Sequence, residues 1–443
     1  MNFSHLRYLG LCGLDIKTIP DSIYSLRKLE ILKLMNCGKL YSLPKNLTRL
    51  QNLRHLVLSG CDSLSHMCPD IHKLCELRTL SVYIVKSEKG HSLAELCHLN
   101  LGGKLSIKGL ENVGGVCEAQ DANLKGKDDL RELSLSWDNC GETNSVAGEE
   151  VLEALQPHSN LKRLDIIGYG GSHLPTWMGN SSALNSLVSL QLLLCKNCRQ
   201  LPSLGRLPFL RKLEIRSMDY VRYIDEYESY DGVEAKPFPS LEELRVLFLP
   251  NMERLLKRET TGMFPSLSML MINKCPKLQL PCLPRLTYLF VLECKNELLR
   301  SISNLNGLNQ LHLRGSEVSY FPEGTMNSMT SLASLQISYF SELKELPSDI
   351  TKLTALSHLS IDHCGKLECL PEQGFEGLSS LRHLTISRCE SLRSLPEGVS
   401  QLTSLQSLTM EFCPALMKRC SEGTGEDWHK IAHIPSVILK GSD

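Results

Sequence analysis

The chain has 443 residues, of which 42% are hydrophobic, 22% charged and only 6% aromatic. That composition excludes wholesale disorder and collagen-like sequence, and a balance of 48 Lys+Arg against 49 Asp+Glu leaves no basic field to attract nucleic acid or an anionic membrane. The amino terminus, Met1-Asn2-Phe3-Ser4-His5-Leu6-Arg7-Tyr8, has no basic stretch followed by a long apolar run, and no later segment approaches the ~18 uninterrupted apolar residues of a spanning helix. The expected setting is soluble, non-secreted and cytoplasmic.

In chain order, Leu-x-x-Leu-x-(Leu/Ile/Val/Met) recurs from Leu6, Leu29, Leu53, Leu77, Leu130, Leu161, Leu187, Leu210, Leu241, Leu267, Leu286, Leu308, Leu332, Leu356, Leu381 and Leu405. The best copies continue with Cys at the eighth offset and then Leu-Pro, as in Leu381, Cys389 and Leu395-Pro396. This is a leucine-rich repeat. Each unit predicts a short strand whose leucines point inward and whose intervening residues point outward. One such unit cannot bury its leucine face alone, so stacked units form the core. The expected fold is α/β: a leucine-rich-repeat solenoid, a curved horseshoe with a parallel β-sheet on its concave face. It would have about 16–17 turns and run roughly 80 Å along the inner face. Leu-Pro or Ile-Pro turns the chain into the convex return, where Ile23, Ile350 or Val399 points back inside.

Four segments follow from the regularity of the pattern. Residues 1–85 are regular repeats. Residues 86–240 are irregular, with a degenerate copy at Leu105-Ser106-Ile107, a short helix over Glu118 to Leu124, and an amphipathic helix placing Val151, Leu152 and Leu155 on one face. The last insertion there, Asp219 to Ser240, is acidic and tyrosine-rich. Residues 241–419 are regular again. Residues 420–443 form a carboxy-terminal cap in which Trp428, Ile431 and Ile434 cover the last turn. The amino-terminal end, with a repeat under way from Leu6, has no such cap and is expected to be covered by sequence outside this chain.

Eight of the 18 cysteines share the eighth offset: Cys37, Cys61, Cys195, Cys275, Cys294, Cys364, Cys389 and Cys413. A small buried side chain suits that place, and since neighbouring copies lie a solenoid turn apart, free thiols of a reducing compartment are expected. Cys195-Lys196-Asn197-Cys198 has half the spacing of a zinc site, but no second pair lies nearby, so no metal is assigned.

The outward positions of most turns are polar, as in Lys212, Glu214 and Arg216 or in His383, Thr385 and Ser387. Three consecutive turns instead present Leu247 and Phe248, then Met269 and Met271, then Tyr288, Phe290 and Leu292. With Arg245, Lys212 and Arg216 at the rim, this has the anatomy of a protein-binding hot spot. The competing expectation is that the acidic tyrosine loop 219–240 folds over it. His358 and His383 share one outward offset with His363 beside them and His312 two turns back; exposed polar histidines are the plainer reading. No His-Glu-x-x-His, Gly-x-Ser-x-Gly or dinucleotide-type glycine cluster follows a strand, and an open repeat face lacks a water-excluding cleft. No enzyme activity and no cofactor are expected.

Several segments together resemble the leucine-rich-repeat part of plant intracellular disease-resistance proteins of the coiled-coil, nucleotide-binding, leucine-rich-repeat type. They are His5-Leu6-Arg7-Tyr8-Leu9, Leu53-Arg54-His55-Leu56 with Gly60-Cys61, Gly103 to Val113, Ala122-Asn123-Leu124-Lys125, Leu152 to Pro157, Leu174-Pro175-Thr176-Trp177-Met178, and Gly423 to Trp428 with Ile431-Ala432-His433-Ile434-Pro435. The resemblance implies a protein-recognition module that binds a pathogen effector or a host protein, or restrains a nucleotide-operated switch, with protein partners and no nucleic acid or membrane. The alternative is a stand-alone interaction scaffold. The family's phosphate loop, Gly-x-x-x-x-Gly-Lys-(Ser/Thr), is absent from this sequence. Calorimetric titration of the purified chain with ATP or ADP should therefore show no binding; a micromolar constant for either nucleotide would refute this reading.

Overall fold

A computed structural model describes residues 5–138, 145–226, 236–259 and 262–441. Every repeat leucine opens a strand two residues on, or lies at its start, so the alternation read from the sequence becomes a stack of parallel strands. The chain forms two compact units, Met1–Tyr220 and Val221–Asp443. The first holds β1 (Tyr8–Cys12), β2 (Ile31–Met35), β3 (His55–Ser59), β4 (Thr79–Leu80), β5 (Val82–Ile84), β6 (Gly103–Lys108), β7 (Leu130–Ser136), β8 (Arg163–Ile167), β9 (Ser189–Leu193) and β10 (Lys212–Arg216). The second holds β11 (Glu243–Leu247), β12 (Met269–Asn273), β13 (Tyr288–Leu292), β14 (Gln310–Ser316), β15 (Ser334–Phe340), β16 (His358–Asp362), β17 (His383–Ser387), β18 (Ser407–Glu411) and β19 (Ser436–Lys440).

Within each unit the register puts like on like. Leu32 faces Leu56 and Leu34 faces Leu58; Leu359 faces Leu384 and Ile361 faces Ile386. These inward side chains are buried, and each contributes about 1.5–3 kcal/mol relative to exposure. In the first unit the ladder breaks once, at Ser81 between β4 and β5, whose hydroxyl accepts the Leu58 N–H at 2.7 Å. Return segments are short 3-10 turns. Pro20, Pro44, Pro175, Pro347 and Pro396 sit at their start in extended conformation with no amide to satisfy. Ile23, Ile350 and Val399 point from them into the core, as expected.

The degenerate copy is a true strand, β6. The helix expected over Glu118 to Leu124 is α1 (Val116–Asp121), which ends before Asn123 in left-handed conformation starts a further 3-10 turn. The second helix, α2 (Ser145–Ala154), buries Val151 and Leu152, with Leu155 buried just beyond it. A third, α3 (Asn296–Ile302), replaces a return segment and buries Leu298, Leu299 and Ile302.

At the carboxy-terminal end, α4 (Pro414–Arg419) and α5 (Trp428–Ile431) precede β19. Ile431 and Ile434 are buried and Trp428 half-buried, but the segment does more than cover the last turn. Ser436-Val437-Ile438-Leu439-Lys440 pairs in parallel with β18, Val437 on Leu408 and Leu439 on Met410. A polar network fixes the approach. Lys430, only 5% exposed, donates to Leu395 O at 2.7 Å and reaches Glu397 at 2.9 Å and Asp427 at 3.1 Å. Asp427, 1% exposed, also accepts the Leu395 N–H and two bonds from Arg419. Burial alone would raise the Asp427 pKa, but the Arg419 and Lys430 donors outweigh it and hold the carboxyl below its usual range.

At the seventh offset, directly after the strand or, in β14 and β15, one residue before its end, φ is positive in fourteen of the sixteen repeats, from Gly13 (65°) to Phe412 (54°). Ile84 and Trp137 are the exceptions, and irregular turns follow both. A residue with a Cβ held there costs roughly 1–2 kcal/mol. This left-handed step swings the strand's last carbonyl toward the eighth offset, and the cysteine thiol takes it: Cys195 on Leu193 O (3.5 Å), Cys275 on Asn273 O (3.4 Å), Cys364 on Asp362 O (3.5 Å), Cys389 on Ser387 O (3.3 Å) and Cys413 on Glu411 O (3.3 Å). All eight cysteines of this offset are buried. Cys198 belongs to the same economy, its thiol on Gln200 O at 3.3 Å. The described cysteines are free thiols; successive turns are one strand spacing apart, and the Cys389 N–H donates to Cys413 Sγ at 3.3 Å, so neighbouring cysteines meet along the ladder.

Burial pushes the thiols of Cys275 and Cys294 up to about 11 and those of Cys68, Cys198 and Cys420 up to about 12. The native chain thus keeps protons that the unfolded chain loses from pH 9 upward, and stability falls as pH rises through that window. Lys127 acts oppositely: buried on Leu96 O and Leu99 O, both at 2.8 Å, its ammonium is pulled down to about 8 by desolvation. Five thiols outweigh one amine. The urea midpoint should drop between pH 8 and pH 10.5, and a flat or rising profile would contradict the burial of the thiols.

Candidate protein-recognition surface

The outward face of β11, β12 and β13 carries the residues singled out in the sequence, and the parallel register sorts them into columns. Glu243, Met269, Tyr288 and Gln310 form one column; Arg245, Met271, Phe290 and His312 the next; Leu247, Asn273, Leu292 and Arg314 the third. The alternation holds throughout: Leu244, Val246, Leu270, Ile272, Leu289 and Val291 are buried, while the named residues between them are half-buried. Met269, Met271, Tyr288 and Phe290 therefore make a four-membered apolar cluster across two adjacent strands.

Its borders are polar. On one side Arg245 donates through Nε to Glu243 at 2.7 Å, fixing the guanidinium beside Met271. On the other, His312 stands edge-on to Tyr288 (5.4 Å between centroids) and to Phe290 (6.4 Å). Burial lowers the His312 pKa, which keeps the ring neutral against the aromatics. Phe248 lies outside the columns. It is the left-handed residue after β11, φ 57°, and its ring sits under Lys274 Nζ at 5.5 Å.

The apolar surface is not continuous in the third column. Asn273, a polar residue at an outward position, separates Leu247 from Leu292. Its Oδ1 is enclosed and accepts no hydrogen bond among the described residues. Lys212 and Arg216, expected at the rim, belong to β10 of the first unit.

Of the acidic tyrosine loop, residues 227–235 lie outside the described residues. What precedes them runs along the return side: Arg222 and Tyr223 bind Glu253, Asp225 is buried in a bridge to Leu256, and Glu226 lies 3.9 Å from Lys257. The histidines divide likewise. His358 and His383 stack at 4.5 Å, whereas His363 sits past the strand end, bonded to Asp362 at 2.7 Å. Burial, then the His383 charge, lowers the His358 pKa.

Residues 93–218 match the family model described as R13L1/DRL21 LRRs, and residues 266–442 one described as a leucine-rich repeat region. The chain is 45% identical over 380 residues to the disease resistance protein RGA1, 42% over 438 to RGA4 and 43% over 370 to RGA2, all of Solanum bulbocastanum. These alignments cover 85%, 92% and 82% of this chain but 38%, 42% and 36% of the relatives, so the chain spans about two fifths of their length.

An enclosed carbonyl oxygen without a donor is a cost that the isolated chain carries. Asn273→Leu should raise the unfolding free energy by about 1–2 kcal/mol, measured by urea titration; a destabilised variant would mean that Oδ1 has a partner in solution.

Proposed function

Because the chain is a leucine-rich-repeat region of the plant disease-resistance kind, we propose that it is a protein-recognition module of a cytoplasmic innate-immunity receptor. In this reading it binds a pathogen effector or a host protein, or restrains a nucleotide-operated switch on another segment. The contact is made by the outward face of β11–β13. The observation that carries the proposal is the cluster of Met269, Met271, Tyr288 and Phe290, four large apolar side chains left half-buried on the solvent side of a sheet whose core side is already full.

Two supports are physical. Methionine and aromatic side chains are enriched at interface cores, and a polar border limits solvent access once a partner closes over them. Arg245, held by Glu243, and His312, held on the rings, supply that border with little ordering left to do on binding. A third is comparative: the most similar relatives reported above bear disease-resistance names. Among the described residues no helix is long and apolar enough to cross a membrane.

Replacing Met271 and Phe290 together by Ser should abolish the partner contact, a loss of about 2 kcal/mol or more for a hot-spot pair. Effector or host-protein association is read by co-precipitation, with thermal unfolding of the variant alongside. If the double variant unfolds instead, these side chains are core and the assigned face is wrong.

A further inference from the structure

In each unit the residues at the seventh offset form a row along the strand ends, and the two units fill it differently. In the first unit the left-handed positions hold Gly13, Asn36, Gly60, Gly168, Leu194 and Ser217, mostly small residues or residues at ease there. In the second unit they hold Phe248, Lys274, Glu293, Gly315, Tyr339, His363, Arg388 and Phe412. Seven of these eight are large side chains in a conformation that disfavours them, and Tyr339 (42%) and Phe412 (38%) are exposed.

Beyond Gly315 the row carries rings and a cation, joined at its start by Arg314 of the neighbouring sixth offset. The Arg314 guanidinium lies over Tyr339 at 4.7 Å, Tyr339 stacks on His363 at 4.2 Å and 11°, and Arg388 lies over Phe412 at 4.9 Å. The carboxylates of the neighbouring column are already occupied. Asp362 takes His363 and the Ser387 hydroxyl, and Glu411 takes Lys440 at 3.0 Å. Arg314 and Arg388 are exposed and form no ion pair among the described residues. A guanidinium held over a ring still has N–H groups for a planar carboxylate, and the contact removes some of the disorder that a free arginine would lose on binding.

We infer that this edge of the second unit, Arg314 to Phe412, is a second contact surface, bordering the β11–β13 face at Arg314, and that it takes an extended acidic segment of a partner protein. Arg314 on β14 and Arg388 after β17 are three strand steps apart, roughly 14 Å at ~4.8 Å per step. An extended chain covers that distance in about four residues, so the segment carries two carboxylates about four residues apart, with Tyr339 and His363 beneath the stretch between them. A nucleic acid fits less well, since among the described residues this edge offers two guanidiniums outside ion pairs, Arg314 and Arg388, and the chain has a net charge of -1.

The test uses the full chain and a labelled Ser/Thr peptide bearing two glutamates about four residues apart, read by fluorescence anisotropy. Its controls are the same peptide with glutamines and a single-stranded oligothymidylate. The glutamate peptide should bind, its affinity falling with salt, at least tenfold in Arg314→Gln/Arg388→Gln and less in each single variant. Arg49→Gln, the same charge change on a return turn of the first unit, should have no effect. Arg388→Gly should lose binding while its thermal midpoint rises through relief of the left-handed strain, which separates recognition from a structural role. Absence of binding at millimolar glutamate peptide, equal binding of the glutamine peptide, preference for the oligonucleotide, or a lowered midpoint in Arg388→Gly would each overturn the proposal.

Discussion

No turn of this molecule can bury its own leucines. A strand such as Leu32-x-Leu34 shows its apolar side to a space that only the next turn and the return segment close. Stability therefore resides in the interfaces between neighbours rather than in any single unit. The rest follows from that dependence. Register must be kept, because a one-residue slip would turn the leucines to water. The return must be short and must send back one aliphatic residue, which the proline-led 3-10 turns with Ile23, Ile350 or Val399 accomplish. An open end needs something that is no longer a leucine repeat.

The cap shows how that last demand is met and why the sequence hides it. Trp428, Ile431 and Ile434 were legible as apolar residues after the pattern stops. The strand Ser436–Lys440 was not, because Ser-Val-Ile-Leu-Lys lacks the Leu-x-x-Leu spacing and pairs only once α5 has been carried back over the last turn. The network of buried Asp427 and Lys430 with half-buried Arg419 was equally invisible. It joins residues whose partner, Leu395, lies more than thirty positions upstream, and no local spacing announces it.

Most of the fold was legible, since a period repeated sixteen times averages out local exceptions. Strand positions, the degenerate copy at Leu105, and the inward faces of α2 and of the return turns could all be read from periodicity. The candidate surface was legible only in part. Met269, Met271, Tyr288 and Phe290 lie where alternation puts them, but Phe248 leaves the strand at a left-handed residue and Asn273 interrupts the third column. Alternation predicts which side of a sheet a residue faces; it does not predict the lateral partner, which depends on the lengths of the intervening returns. The row at the seventh offset escaped for a related reason. It is defined by a backbone angle, and residues as unlike as Gly315, Glu293 and Phe412 share it.

That separation between a backbone requirement and side-chain identity has a consequence for how such a chain changes over generations. The leucines, helped in most turns by the left-handed step and in half of them by the eighth-offset cysteine, fix the turns, while the outward positions of a regular pair such as β16 and β17 face solvent and their lateral neighbours. Exchange of a segment one repeat long between two copies would restore the same ladder whichever copy supplied it. Outward triplets could thus be shuffled, duplicated or lost as blocks with the core untouched, so that variation in what the surface displays is largely uncoupled from whether the chain folds.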